Sequence, residues 1–200
     1  MNKQHNNGDF ILASASPRRR ELLLQVGLSF RTVPSGLSES NQGVTEPRQH
    51  ALYWAAAKAR DVAQRCQQEW VLGADTVVVL DGEILGKPAN PAEAAAMLAR
   101  LSGRSHLVIT GLCLILSQAK VEGRECVETR VSMRKLSSED IQGYVATGEP
   151  MDKAGSYGIQ GIGGCLVQRI EGSYSNVVGL PLCETVELLR RHRVADPLRK

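Results

Sequence analysis

A run of strongly β-forming residues at positions 71–80 constrains the fold more than any other part of this chain. The run is apolar almost throughout, which is typical of a central strand buried on both faces. Asp81-Gly82 follows directly and favours a tight hairpin that returns through residues 83–85. Hairpins mixed with crossover helices predict an α/β fold with a mixed β-sheet and flanking helices, in two lobes around a cleft.

Changes between strand-like and helical periodicity predict the other elements. Helices are expected at 17–26 (capped by Ser16 and stopped by Gly27), at 45–69, from Pro91 to a stop at Gly103, from Ser137 or Ser138 through 144–146, and at 182–192. Strands are expected at 10–13, 106–116, 126–136 and 165–170. A polar turn is expected at 121–124, and an irregular glycine-rich segment at 149–164. Neither a repeat nor a long linker divides the 200 residues. The chain is therefore expected to form a single domain, 1–200, with residues 1–9 as a disordered polar leader.

The first strand leads into a helix whose first turn carries Arg18, Arg19 and Arg20. A helix N-terminus offers free backbone N–H groups, and arginine adds donors that match phosphate oxygens. The alternative is a capped amphipathic helix with a solvated basic turn. Because the helix dipole opposes cations at this end, three arginines in a row favour an anion site over that alternative.

Asp75 lies inside the apolar run, where a carboxylate is costly unless it faces a cleft, a cation or a metal. It could instead bond a neighbouring loop, but apolar residues continue on both sides. Lys87, in Gly86-Lys87-Pro88, lacks the P-loop spacing and is either a phosphate ligand or a surface residue. Lys58 lies on an alanine-rich helix, and that setting by itself favours a surface lysine.

The glycine-rich segment also holds residues that could contact a ligand. Asp152, Lys153 and Gln160 alternate with glycines, which let a backbone approach a ligand closely, although an ordinary surface loop would look the same. Basic groups, isolated acids and such loops together suggest a phosphorylated substrate with a divalent cation, since Mg²⁺ typically needs only one or two carboxylates plus phosphates.

Composition excludes several classes of protein. A net charge of +3 and 4% aromatic residues argue against nucleic-acid binding. The longest apolar stretch, 112–116, is too short for a membrane span. The five cysteines are separated in sequence and form neither a disulfide framework nor a zinc motif. We therefore expect a cytoplasmic protein without a membrane anchor.

Five motifs in one order resemble those of the Maf family of nucleoside triphosphate pyrophosphatases. They are Ser14-Ala-Ser-Pro-Arg-Arg-x-x-Leu-Leu, Leu72-Gly-Ala-Asp-Thr, Gly86-Lys-Pro, Asp152-Lys-Ala-Gly-Ser-Tyr-Gly-Ile-Gln-Gly and Asn176-Val-Val-Gly-Leu-Pro. The resemblance implies a fold related to the inosine triphosphate pyrophosphatases. It also implies hydrolysis between the α and β phosphates of a nucleoside triphosphate, with Mg²⁺ or Mn²⁺ as cofactor.

The same resemblance assigns roles to individual positions. Asp75 matches the catalytic acid that activates water, and Arg18 matches the arginine that binds phosphate. Lys87 and Glu39 match further active-site groups, with Asp75 and Glu39 as metal ligands, and Ser14, Lys58, Thr76 and Gln160 are placed at the substrate. Thr76 and the Ile-Gln-Gly sequence at Gln160 are similar to the branch that acts on dTTP and UTP. A homodimer is implied as well, and the alternative function is a non-catalytic nucleotide-binding regulator of cell division.

Overall fold

The computed structural model describes residues 10–37 and 45–199. Within these ranges the strands are β1 (Phe10–Leu12), β2 (Phe30–Thr32), β3 (Trp70–Leu80), β4 (Glu83–Leu85), β5 (Ser105–Leu116), β6 (Val121–Met133) and β7 (Val167–Glu171), and the α-helices are α1 (Pro17–Gln25), α2 (Pro47–Arg65), α3 (Pro91–Leu101), α4 (Ser138–Ala146), α5 (Tyr174–Val178) and α6 (Leu182–Arg191). Three short 3₁₀ turns lie at Glu149–Asp152, Ala154–Ser156 and Ile162–Leu166. The predicted leader, residues 1–9, lies outside the described residues.

The strands form one mixed sheet in the order β2-β1-β3-β5-β6-β7, with β4 paired to β3. β1 runs parallel to β2 and β3, and the other pairs are antiparallel. Helix α2 packs on one face; α1 and α6 cover the other face at the β1 end, and α3 and α4 cover it at the β4 end. The predicted mixed sheet with flanking helices is confirmed.

Two glycines let α2 lie very close to the sheet. A Cβ at Gly73 would stand 2.2 Å from the carbonyl oxygen of Ala55, and one at Gly111 would stand 2.4 Å from that of Ala51. Only a residue without a side chain fits at such distances. These contacts set the height of α2 over the middle of β3 and β5.

The cleft arises because two different strands pair with separate parts of one edge of β3. β1 pairs with this edge at Val71 and Leu72, and β4 pairs with it at residues 78–80. Between them, the described residues place no strand beside positions 73–77, while β5 continues along the opposite edge. Asp75 and Thr76 lie in this interval. A gap in a sheet is therefore what opens the strand to a ligand.

Several predicted boundaries are wrong. The strand predicted at 126–136 ends at Met133, because the amide of Leu136 binds Ser102 Oγ instead of a neighbouring strand. Residues 121–124, predicted as a turn, begin β6, because Arg60 of α2 binds the carboxylate of Glu122 at 2.9 Å and lets a charged segment pair with β5. Helix α2 ends at Arg65 rather than at residue 69, since the chain leaves the helical conformation at Cys66 to enter β3. β7 begins at Val167, two residues later than predicted.

Two short elements, β2 and α5, were not predicted. Both are too short to show a clear period in the sequence, and each depends on a distant partner: β2 pairs with β1, and α5 is held through Asn176, which donates to Val108 and Thr129. Across the described ranges, no helix is both long and apolar enough to cross a membrane.

Candidate active site

A cleft of about 470 Å³ opens at the unpaired interval of β3. The first helix, the loop after β4 and the glycine-rich segment form its walls. Seven of the sequence-predicted site residues line it: Ser14, Arg18, Lys58, Asp75, Thr76, Lys87 and Gln160. The eighth, Glu39, lies outside the described residues.

Asp75 and Lys58 form a buried ion pair on the α2 side of the sheet. Lys58 Nζ donates to Asp75 Oδ1 at 2.7 Å, and both residues are less than a tenth exposed. The setting of Lys58 on an alanine-rich helix favoured a surface lysine, and that expectation is wrong. Because Gly73 and Gly111 bring α2 down onto the sheet, the lysine on its inner face reaches the carboxylate of β3.

Arg19 is buried and organises the opposite side of the strand. Its guanidinium donates to the carbonyl oxygens of Ala74 at 2.9 Å and Gly179 at 2.8 Å, to Ser14 Oγ at 3.3 Å and to Thr76 Oγ1 at 3.0 Å. It thus satisfies a carbonyl that the unpaired interval of β3 leaves without a strand partner. The prediction of three arginines at an anion site needs correction, since this one is engaged by the protein itself.

The first turn of α1 and Arg18 form one wall of the cleft. Ser16 caps the helix by accepting from the amide of Arg19. Arg18 is about one-third exposed and lies 3.8 Å from Asp152 across the cleft. Arg20 is exposed and lies outside the cleft lining. Of the three arginines, Arg18 best matches the predicted ligand to an anion.

Thr76 points to the face opposite Asp75, as neighbours on a strand must. Its hydroxyl lies 2.9 Å from Thr110 Oγ1 and 3.2 Å from the carbonyl oxygen of Gly179. The same oxygen also accepts from Arg19, so three groups lie within hydrogen-bond distance of it. Thr76 thus joins β3 and β5 to the turn after α5.

The glycine-rich segment and the loop after β4 form the far wall. Lys153 Nζ donates to Asp152 Oδ1 and to the carbonyl oxygen of Glu149, both at 2.6 Å. The hydrogen bond from Lys153 lowers the pKa of Asp152. Lys87 and Gln160 are exposed in the cleft. Basic side chains outnumber acidic ones in this lining, so the cleft suits a polyanion.

The donors present are compatible with a divalent cation. No group of three metal-ligating side chains occurs in the ranges that the structure describes. Asp75 Oδ1 accepts from Lys58, whereas within those ranges Oδ2 makes no hydrogen bond, and it belongs to a residue that lines the cleft. One hard carboxylate oxygen beside a polyanion site fits Mg²⁺, which usually takes one or two carboxylates together with phosphate oxygens.

A buried histidine stands behind the cleft wall. His106 Nε2 lies 2.7 Å from Tyr157 Oη, and Tyr157 lines the cleft. Burial lowers the pKa of His106 to about 4, so the ring is neutral near pH 7. His106 therefore supports the position of the cleft residue Tyr157.

Comparison with known proteins gives concordant matches. A family model described as Maf-like protein matches residues 9–192. The dTTP/UTP pyrophosphatase of Syntrophotalea carbinolica is 52% identical, with 94% of this chain and 86% of that protein covered. Proteins of the same name from Moorella thermoacetica (53% identical; 90% and 92% covered) and Escherichia coli O157:H7 (52%; 89% and 90%) are similar as well.

Among solved structures, a nucleoside-triphosphatase / dITP/XTP pyrophosphatase from Mycobacterium abscessus aligns with a TM-score of 0.41 at 16% identity, over 64% of this chain and 75% of that one. An overlap this weak adds nothing to the interpretation of the cleft.

Proposed function

This chain belongs to the family of Maf-like proteins, and from that membership we propose that it hydrolyses dTTP and UTP to the nucleoside monophosphate and pyrophosphate. The observation that carries the proposal is the cleft at the unpaired interval of β3, where a buried carboxylate faces a basic wall. The names of relatives that are 52–53% identical along most of the chain support the choice of substrates.

Asp75 is proposed as the general base. It accepts a proton from a water molecule, which attacks the α-phosphorus while pyrophosphate leaves. Lys58 fixes the orientation of the carboxylate through the 2.7 Å bond and compensates its charge within the fold. The burial of this pair at the cleft floor supports the assignment, because a fixed base needs no reorganisation during the reaction.

The triphosphate is proposed to bind along the basic wall. Arg18, Lys87 and the first turn of α1, with Ser14 beside it, offer donors to phosphate oxygens. A Mg²⁺ or Mn²⁺ ion held by Asp75, with Glu39 as a further ligand, would supply positive charge that neutralises the phosphates. This arrangement of donors favours a triphosphate over a monophosphate, because a monophosphate brings fewer negative charges to pair with the basic side chains.

The nucleobase of the substrate is proposed to lie towards Gln160 and Thr76. The exposed amide of Gln160 offers both a donor and an acceptor, which the edge of a pyrimidine can use. Thr76 contributes by shaping the floor through its bonds to Arg19 and Thr110. A homodimer and the absence of nucleic-acid binding stay predictions from the sequence.

Pyrophosphate release tests the proposal. The purified protein is incubated with Mg²⁺ or Mn²⁺ and with dTTP, UTP, CTP, GTP, ATP or 7-methyl-GTP in turn. Fast release from dTTP and UTP alone is expected. Preference for 7-methyl-GTP would keep the reaction and contradict the choice of substrates, whereas no release by a folded protein would favour the non-catalytic regulator.

A further inference from the structure

The wall that carries Gln160 has little regular structure of its own. Between α4 and β7 the chain forms only short 3₁₀ turns, yet it supplies Asp152, Lys153 and Gln160 to the cleft. A segment of this kind needs anchors if its side chains are to keep fixed positions. The structure contains such an anchor, built from two residues that do not line the cleft.

The anchor consists of Glu149 and Tyr144. The Glu149 carboxylate accepts from the hydroxyl of Tyr144 at 2.9 Å and from the amides of Ile162 and Gly163 at 3.0 Å each. The Tyr144 oxygen also accepts from the amide of Gly158 at 3.1 Å. The bonded amides thus stand on both sides of position 160.

Close approaches at two glycines show how tightly this anchor is enclosed. A Cβ at Gly161 would stand 2.9 Å from Glu149 Oε2, and one at Gly163 would stand 2.4 Å from Tyr144 Oη. Gly161 also has a φ of +84°, which side chains other than glycine rarely adopt. The backbone next to Gln160 therefore wraps directly around the two anchoring side chains.

The charge of Glu149 adds to the strength of the anchor. Burial alone would raise the pKa of this carboxyl, but the Gly163 amide, the Tyr144 hydroxyl and the Ile162 amide together lower it. An ionised acceptor forms stronger hydrogen bonds than a neutral one.

We propose that Glu149 and Tyr144 are positioning residues that fix the backbone on both sides of Gln160 and thereby set the affinity and base selectivity of the enzyme. This inference rests on the proposed function. The two residues act through the peptide chain and need not touch substrate or the reacting phosphate.

The test uses two near-isosteric variants with matched controls. Glu149→Gln removes the charge, and Tyr144→Phe removes the hydroxyl that links Glu149 to Gly158. Glu171→Gln in β7 and Tyr174→Phe in α5 are the controls, because their side chains are about half exposed and lie outside the cleft lining. Steady-state kinetics with UTP and GTP and hydrogen exchange of the amides at 158–163 are measured for each protein.

In both anchor variants, KM for UTP is expected to rise roughly tenfold, the factor that corresponds to losing one hydrogen bond to a charged group. The preference for UTP over GTP falls, kcat changes less than KM, and exchange at 158–163 becomes faster. A merely structural role would lower the active fraction and thus kcat, while KM and the preference stayed as in the parent protein.

The outcomes separate this inference from the proposed function. If the parent protein releases pyrophosphate from UTP but both variants keep its KM, its preference for UTP over GTP and its exchange rates, the positioning role is refuted and the proposed function stands. If the parent protein releases none, the proposed function and the positioning role both fail. If Glu149→Gln does not fold, Tyr144→Phe decides the question.

Discussion

Lys58 Nζ lies 2.7 Å from Oδ1 of Asp75, and the two side chains are only 10% and 7% exposed. The pair joins α2 to the middle of β3 at the floor of the cleft. A buried pair of this kind is costly to separate, because removing one partner leaves an uncompensated charge. The relationship therefore ties the stability of the fold to the proposed chemistry, and both can be tested at the same two positions.

Asp75→Asn is expected to lower kcat for dTTP and UTP by roughly 10²–10⁴-fold, the contribution usual for a general base. The amide is nearly isosteric and can still accept from Lys58, but it no longer offsets the lysine's charge, so the fold should persist with lower stability. Pyrophosphate release and thermal unfolding are measured together. An active, metal-dependent variant would refute the role of Asp75.

Lys58→Met is expected to destabilise the protein by about 3–5 kcal/mol, since Asp75 would be left buried without its cation. The free energy of unfolding is measured in urea. The double variant Lys58→Met with Asp75→Asn should recover part of this loss, because no charge then remains unpaired. Equal stability of the single and double variants would mean that the pair contributes nothing through charge.

Arg19→Lys is expected to cost about 1–3 kcal/mol, because a lysine cannot donate to four separate acceptors in the fork geometry of a guanidinium. Activity should fall too, since Arg19 holds Ser14 and Thr76 at the cleft. The exposed neighbour offers the control: Arg20→Lys should change stability by less than about 0.5 kcal/mol. Similar losses in both variants would contradict the structural role of Arg19.

Gly73→Ala is expected to be strongly destabilising, because the new Cβ would stand 2.2 Å from the carbonyl oxygen of Ala55 and push α2 off the sheet. Gly143→Ala in α4 meets no atom within 4 Å and should stabilise by up to about 1 kcal/mol through helix propensity. Urea unfolding of both variants gives the comparison. A tolerated Gly73→Ala would show that α2 is free to move.

Acid should weaken the fold through His106. Burial lowers its pKa from 6.5 to about 4, so between these values the unfolded chain binds a proton that the folded protein does not. The neutral His106 therefore leaves the stability of the fold unaffected above pH 6.5, the pKa in the unfolded chain. As the pH falls from 6.5 towards 4, the free energy of unfolding decreases by an amount on the order of 3 kcal/mol.

The measurement is the free energy of unfolding from pH 7 to pH 4. His106→Gln can still bond Tyr157 and should lose this part of the slope, whereas His192→Gln, a change at a partly exposed histidine, should keep it. An unchanged slope in His106→Gln would assign the acid sensitivity to other groups.

Most local elements were predictable because their signals are local. Ser16, Asn90 and Ser137 each accept a hydrogen bond from an amide three residues later, as N-caps do. The Asp81-Gly82 turn has positive φ at both residues, as its sequence predicts for a tight hairpin. The motifs also identified six of the seven predicted site residues that line the cleft, and the wider family resemblance added Lys58.

The sequence alone predicted most of the helices, strands and turns, and it identified the residues that match the family's motifs. The tertiary structure alone decided that Lys58 is buried, that Arg19 turns inward and that Glu149 anchors the segment around Gln160. Each outcome depends on a group far along the chain. Lys58 is buried because α2 lies close to Gly73, Arg19 turns inward to the Ala74 carbonyl at the interrupted edge of β3, and Glu149 accepts from the amide of Ile162. Burial and hydrogen-bond partners are set by such non-local packing, which a local sequence pattern does not contain.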